Sequence, residues 1–396
     1  MAQNVSMQRE TSLPETSGDA PLRVLHVAET LPGGIATYLR EVLSAQIMQG
    51  GQQVRVLAPQ DQLDHLAGLP VAALQGYARS GRNLRSLLAL ARALRRQVEA
   101  FRPQIVHLHS SFAGAVGRWL RPSLPDDVRW VYCPHGWAFS RDDHALARRA
   151  YAWVERLLAR RADAWVAISR HELETAIAHG IAAEHAQLIG NGVADTQALS
   201  VAPAAGFARD ALNLLFVGRH DRQKGLDLLL AAMAQLRDCP LRLHVVGSGV
   251  LGAAGDTVGD AALPNVRWLG WRSGPDLLAC YRACDALVMP SRWEGFGLAA
   301  IEAMREGKPV LAANCGALGE IVEDGVTGRL FAAGDVAALT VVLASLDRGA
   351  LARAGSMARQ RYLERYTIER TATALSALYG ELAMGSRPLE VGIGNQ

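Results

Sequence analysis

Apolar and polar positions along this chain follow two alternating periods. Short runs rich in Val, Ile, Leu and aromatic residues recur at 23–28 (RVLHVA), 53–59 (QVRVLAP), 104–109 (QIVHLH), 129–134 (RWVYCP) and 164–169 (AWVAIS). Between them lie helix-length amphipathic stretches, an alternation that predicts parallel strands covered by helices. The pattern pauses near Ile189-Gly190-Asn191-Gly192-Val193 and through 194–206, which are rich in Ala, Pro and Gly. It then resumes with strand-like runs at 212–218, 241–247, 266–270, 285–290, 308–314 and 328–332. The expectation is an α/β protein of two doubly wound, Rossmann-like domains, 21–193 and 207–365, joined by a linker over 194–206 and facing each other across a cleft. A helical region spans 350–384, and its last part, 366–384, is expected to cross back to the first domain. Residues 1–20 and 385–396 read as tails, the first one flexible. No fixed-period repeat is present beyond the architectural doubling.

One helix reads clearly from its periodicity: Asn83 to Phe101 sets Leu84, Leu87, Leu88, Ala91, Leu94, Val98 and Phe101 on one face, ringed by Arg82, Arg85, Arg92 and Arg96. A second, over about 145–161, carries Arg148, Arg149, Arg156, Arg160 and Arg161. These arginines belong to an uneven distribution: residues 21–200 hold 20 Arg against 15 acids, whereas 201–396 balance 20 basic against 20 acidic residues. The basic faces point to an anionic membrane surface as a partner of the first half, with the chain peripheral on the inner face of the cytoplasmic membrane. The plainer reading, solvated arginines over a packed leucine face, stands beside it.

Composition narrows the classes. Of 396 residues half are apolar, a fifth are charged, and the net charge is +3; this supplies two cores and argues against a disordered chain and against a nucleic-acid partner. Only Lys224 and Lys308 are lysines, so chemistry that needs a compact ammonium has two candidates. Cys133, Cys239, Cys280, Cys284 and Cys315 lack zinc-site spacing and disulfide density, which fits a reduced, cytoplasmic compartment. The first twenty residues have no apolar signal core. The longest stretch free of Asp, Glu, Lys and Arg, 103–117, contains His107 and His109, so no span of a bilayer is expected.

Chemistry concentrates where strands end. In Pro290-Ser291-Arg292-Trp293-Glu294-Gly295-Phe296-Gly297-Leu298-Ala299-Ala300-Ile301-Glu302 a strand gives way to a glycine-bracketed loop and then a helix. Free amides at 296–298 suit an anionic ligand, and Glu294 and Glu302, eight residues apart, suit hydroxyls such as a ribose diol. In Gly218-Arg219-His220-Asp221-Arg222-Gln223-Lys224-Gly225 a strand empties into a loop with two cations placed to neutralise a diphosphate. Gly33-Gly34 lies between the first strand and first helix, and His135 follows the strand ending at Cys133-Pro134. Taken alone, these last two signals are weak. Gly247-Ser248-Gly249-Val250-Leu251-Gly252 matches a dinucleotide fingerprint, but Gly255 and Gly259 follow where a helix should begin. No Asp-x-Asp exists to clamp a metal.

These residues resemble retaining GT-B glycosyltransferases of family 4, also called glycosyltransferase group 1, most closely over about 212–332. The Pro134-His135-Gly136-Trp137 tetrad is similar to transferases of bacterial exopolysaccharide assembly. By that resemblance, Arg219 and Lys224 would bind the diphosphate of a nucleotide-sugar donor and Glu302 its ribose. Glu294 with the amides of Gly295, Phe296, Gly297 and Leu298 would hold the transferred sugar. His135 would lie beside that sugar, and Gly33 and Gly34 near the diphosphate. The resemblance implies a hexosyltransferase that needs no metal and no cofactor, with a glycan or lipid-linked acceptor. Retention would come from front-face attack or double displacement, the former favoured because no carboxylate is an obvious nucleophile. A sugar-nucleotide epimerase of the same architecture and a non-enzymatic nucleotide- or carbohydrate-binding protein are the alternatives. Donor sugar, nucleobase and oligomeric state are not written in the sequence.

Overall fold

A computed structural model describes residues 21–140, 144–249 and 263–385. The expected tails, apart from Gly385, and the segment with Gly252, Gly255 and Gly259 lie outside those residues.

Two parallel sheets form the frame. The first contains β1 (Leu22–Ala28), β2 (Gln52–Pro59), β3 (Leu74–Tyr77), β4 (Ile105–His109), β5 (Arg129–Cys133), β6 (Ala164–Ala167) and β7 (Ala186–Leu188), in spatial order 3-2-1-4-5-6-7. The second contains β8 (Leu212–Val217), β9 (Leu241–Val246), β10 (Val266–Gly270), β11 (Ala286–Met289), β12 (Val310–Ala313) and β13 (Gly328–Phe331), in order 10-9-8-11-12-13. In each sheet the order reverses beside the first strand, between β1 and β4 and between β8 and β11. At such a switch the loops leaving neighbouring strands diverge and open a crevice. Covered on both faces, these central strands are apolar almost throughout. The polar exceptions are His26, His107 and His109 in the first sheet and Asn213 and His244 in the second, all of them buried.

The helices of the first domain are α1 (Gly34–Gln49), α2 (Leu84–Phe101), α3 (Ser111–Leu120), α4 (Ala145–Ala159) and α5 (Arg170–Ala178). The second has α6 (Leu226–Gln235), α7 (Gly274–Ala283), α8 (Leu298–Arg305), α9 (Leu318–Ile321), α10 (Val336–Ala344) and α11 (Arg348–Arg365), and α12 (Ile368–Ala383) follows. The helical face read over 83–101 needs correction. Ser86, Leu90, Ala93, Leu94, Val98 and Phe101 are the buried residues of α2, and Leu84 and Leu88 are exposed. Leucines lie on more than one side of this helix, so spacing alone chose the wrong pair; the covered face includes Ser86 and Ala93 instead. Within the helical region 350–384 the chain turns at Tyr366-Thr367, between α11 and α12.

That turn matters for the assembly. Helix α12 lies against α1 of the first domain, with Leu375, Leu378, Tyr379 and Leu382 in the same core as Tyr38, Leu39 and Val42. Each such leucine contributes roughly 1.5–3 kcal/mol by burial. The chain therefore passes between domains twice, at 190–196 and 366–368, and the two passages are joined. Val193 N–H donates to Tyr366 O (3.0 Å) and Ile368 N–H to Val193 O (3.1 Å). A Cβ on Gly192 would come 2.2 Å from Thr367 O, so glycine is required for this contact.

Candidate active site

The loops after β8 and β11 are packed backbone on backbone. Gly225 adopts φ 66°, and a Cβ there would sit 2.1 Å from Pro290 O. Arg292 N–H donates to Gln223 O (2.8 Å), and Gln223 Nε2 donates to Trp293 O (3.2 Å). This stitching carries Lys224 Nζ to 2.5 Å from Glu294 Oε2, with both side chains largely buried. Ser291 Oγ donates to the same carboxylate oxygen at 3.4 Å. Behind it, Gly316 at φ 55° presses on the Glu294 carbonyl, where a Cβ would come within 1.9 Å. Arg219 stands apart from this pair. Half exposed, it bridges Asp221 (3.1 Å) and Gln223 Oε1 (2.9 Å).

Glu294, Gly295 and Phe296 lead into α8, which opens on Gly297 at φ 105° with no side-chain cap and no acid in its first turn. Its first amides keep their partial positive charge for whatever lies in front of them. Glu302, further along α8, accepts a hydrogen bond from the Tyr281 hydroxyl (2.8 Å). Burial raises its pKa, while Arg305 and the Tyr281 bond work against that rise.

Across the cleft, the first domain answers with glycines and a histidine. Gly33, at φ 94°, opens α1, again without a side-chain cap or an acid in the first turn. A Cβ on Gly34 would touch Leu298 Cδ1 at 3.5 Å, and one on Gly295 would lie 3.5 Å from Gly136 Cα. His135 itself adopts φ 53°, a conformation that costs a non-glycine residue on the order of 1 kcal/mol and must be held by its surroundings. Part of that hold comes from Glu172. Its position in Ser169-x-x-Glu172 is that of a capping-box acid, and Ser169 Oγ does accept from Glu172 N–H (3.0 Å). The carboxylate, however, takes the amides of Gly136 (2.6 Å) and Ile168 (2.8 Å). Burial pushes its pKa up to about 7 despite those two bonds.

The structure thus brings Lys224 and Glu294 into contact, sets Gly34 and Gly136 against the start of α8 and its preceding loop, leaves Arg219 paired within its own loop, and places Glu302 on Tyr281. Several groups at this cleft carry no mark in a linear reading. Behind His135 lie His109, His26 and His107, with His109 Nδ1 2.9 Å from His135 Nε2. The signal available was the alternation in QIVHLH, which puts His107 and His109 on one face of β4; pairing with β1 then sets His26 beside His107. Among the described residues, ligand nitrogens of His26, His107 and His109 come within 4.8 Å of one another. A cation there would sit among fully buried neutral rings, with no carboxylate in the set. Glu320 was also missed. Reaching across from α9, it accepts the amides of Arg170 (2.9 Å) and His171 (2.5 Å) at the start of α5.

Known proteins resemble this chain in sequence and in fold. Residues 211–346 match the family described as "Glycosyl transferases group 1", and residues 33–192 that described as "Glycosyl transferase 4-like domain". An uncharacterized 41.2 kDa protein in the cps region of Klebsiella pneumoniae is 30% identical over 78% of this chain and 86% of its own length. The phosphatidyl-myo-inositol mannosyltransferase of Mycobacterium leprae is 29% identical over 84% of this chain and 90% of its own. Among solved structures, HepE of Anabaena in complex with UDP-glucose superposes with a TM-score of 0.74 at 22% identity, covering 91% of this chain and all of that one. The fold is GT-B.

Proposed function

The chain belongs to the glycosyl transferases group 1 family, and from that premise we propose a specific reaction. The protein moves a hexose, with retention, from a nucleoside-diphosphate sugar to a glycan or lipid-linked oligosaccharide in bacterial surface polysaccharide assembly. The observation that carries this reading is the Lys224–Glu294 pair beside the uncapped start of α8, opposite His135. In the proposal, the diphosphate takes Lys224 from Glu294 and draws Arg219 inward from Asp221. Freed, Glu294 accepts hydroxyls of the transferred sugar together with the amides of Gly295, Phe296, Gly297 and Leu298. Glu302 takes the ribose, and the Gly33-Gly34 turn lies against the phosphates.

Departure of the nucleoside diphosphate develops negative charge on a phosphate oxygen, which two cations and a helix dipole stabilise without a metal. Since no carboxylate is set up as a nucleophile, the acceptor hydroxyl attacks from the leaving-group face and passes its proton to the departing phosphate. Closure of the cleft excludes water and suppresses hydrolysis. The polysaccharide context draws on the Klebsiella relative's cps region. A lipid-borne acceptor at an anionic membrane draws on α4, whose outer face sets exposed Leu146, Trp153 and Leu157 among Arg149, Arg156 and Arg160. No helix of the described residues is long and apolar enough to cross a membrane.

A melting-temperature screen against nucleoside-diphosphate sugars tests the donor claim. A preferred donor at a hundredfold excess over its Kd should add about 2.7 kcal/mol by mass action. Anomer-resolved NMR of the product then tests retention. No shift with any sugar nucleotide would defeat the reading.

A further inference from the structure

Three imidazoles run in line from the core to the cleft. Gln46 of α1 sets its amide oxygen 3.1 Å from His26 Nε2; His26 Nδ1 lies 2.9 Å from His109 Nε2; His109 Nδ1 lies 2.9 Å from His135 Nε2. Gln46, His26 and His109 are buried, and the rings lie nearly parallel, at 10° between His26 and His109 and 29° between His109 and His135. His107 stays outside the line, its Nδ1 bonded to the Tyr379 hydroxyl at 2.6 Å. Burial keeps the rings neutral: His26 is held down to about 4, His135 to about 3, and His109 well below its usual range.

A neutral imidazole carries one N–H, so a ring that donates through one nitrogen must accept through the other. An amide oxygen can only accept. Proton positions along the line therefore follow from its inner end: His26 donates from Nε2 to Gln46, His109 from Nε2 to His26, and His135 from Nε2 to His109. We propose that Gln46, acting through His26 and His109, fixes His135 as the Nε2–H tautomer, so that its Nδ1 meets the bound sugar as an acceptor for a hydroxyl proton. This rests on the transferase reading and makes Gln46, His26 and His109 positioning residues for it. Turning the amide round would reverse every bond and give His135 an Nδ1–H donor instead. The cost of a buried polar line is recovered only while each link is made, since an orphaned buried donor or acceptor costs roughly 1–3 kcal/mol.

The test begins on unaltered protein without substrate, so it does not depend on finding the donor. Two-bond proton–nitrogen correlation spectra of histidine-labelled protein at pH 7 should show His26, His109 and His135 as Nε2–H tautomers. Gln46→Met should bring an Nδ1–H population into His135. With the donor in hand, Gln46→Met and His26→Phe should each lower kcat about tenfold and change donor KM less than about twofold, and the double variant should be no slower than the worse single one, as expected of residues that act as one unit. An Nδ1–H or doubly protonated His135 in the unaltered protein overturns the proposal. So does a His135 spectrum indifferent to Gln46→Met, or full additivity in the double variant. If no donor is found, the spectra still decide the tautomer, and only the transferase reading falls. If Gln46→Met does not fold, the spectrum of the unaltered protein decides alone.

Discussion

Around the cleft the second domain presents charge, with Lys224 on Glu294 and Arg219 on Asp221, whereas the first presents glycines at 33, 34 and 136 and a stack of neutral rings ending at His135. The difference follows from solvent. Arg219 is half exposed and Lys224 keeps about a fifth of its side chain accessible, so their charges are affordable before any ligand arrives. His26 and His109 have no water to share a charge with, and neutrality is the result. Lys224 and Arg219 on one wall are suited to an anion, and the neutral ring of His135 on the other is suited to an uncharged hydroxyl.

The largest expected effect breaks the charged wall. Lys224→Ala or Glu294→Ala should lower transfer by about 10²–10³-fold, the scale of losing one preorganised stabilising group, with circular dichroism unchanged. Equal transfer by both variants would show that the contrast between walls has no bearing on catalysis.

A second experiment asks whether neutrality of the rings is a stability term. Unfolded histidine titrates near 6.5, and His26 is held to about 4 when folded. Between those values the unfolded chain binds more protons, so folding stability should fall as pH drops from 6.5 toward 4. The loss for His26 is on the order of 3 kcal/mol. Glu172 runs the other way, its contribution present below 4.5 and lost as pH rises to about 7. In the second domain His244 is also lowered to about 4, against His26, His107, His109 and His135 in the first. Hydrogen exchange should therefore show amides of β1 and β4 losing protection at a higher pH than those of β8 and β11. Simultaneous loss would mean that the two domains share one acid transition.

Smaller effects sharpen the picture. Glu320→Ala removes two charge-assisted bonds between the domains and should raise donor KM a few-fold while enlarging the radius of gyration in solution scattering. Smallest of all, reversing exposed Arg92 and Arg96 to Glu should reduce flotation with anionic vesicles and leave flotation with neutral ones unchanged.

Much of this frame was legible in the sequence because central strands buried on both faces must be apolar runs. The edge strands β3 (LQGY) and β7 (AQL) are short, with one neighbour each, and need no such run. The charged wall was legible for a related reason: Lys224, Glu294 and the start of α8 lie on two continuous loops. The ring wall was not, because residues 26, 46, 109 and 135 come from different elements and meet only once β1 pairs with β4. Leucines at 84 and 88 misled for the opposite reason, since periodicity reports a face without saying what covers it.

The twin passages at Val193 and Thr367 restrict how this molecule can open. Sliding one half along the other would tear their paired amides, whereas swinging about them breaks nothing. The protein should move as a book does on a two-ply spine, with α12 travelling with the first cover. Gly192, remote in sequence from every reacting group, is where that spine would jam if it carried a side chain.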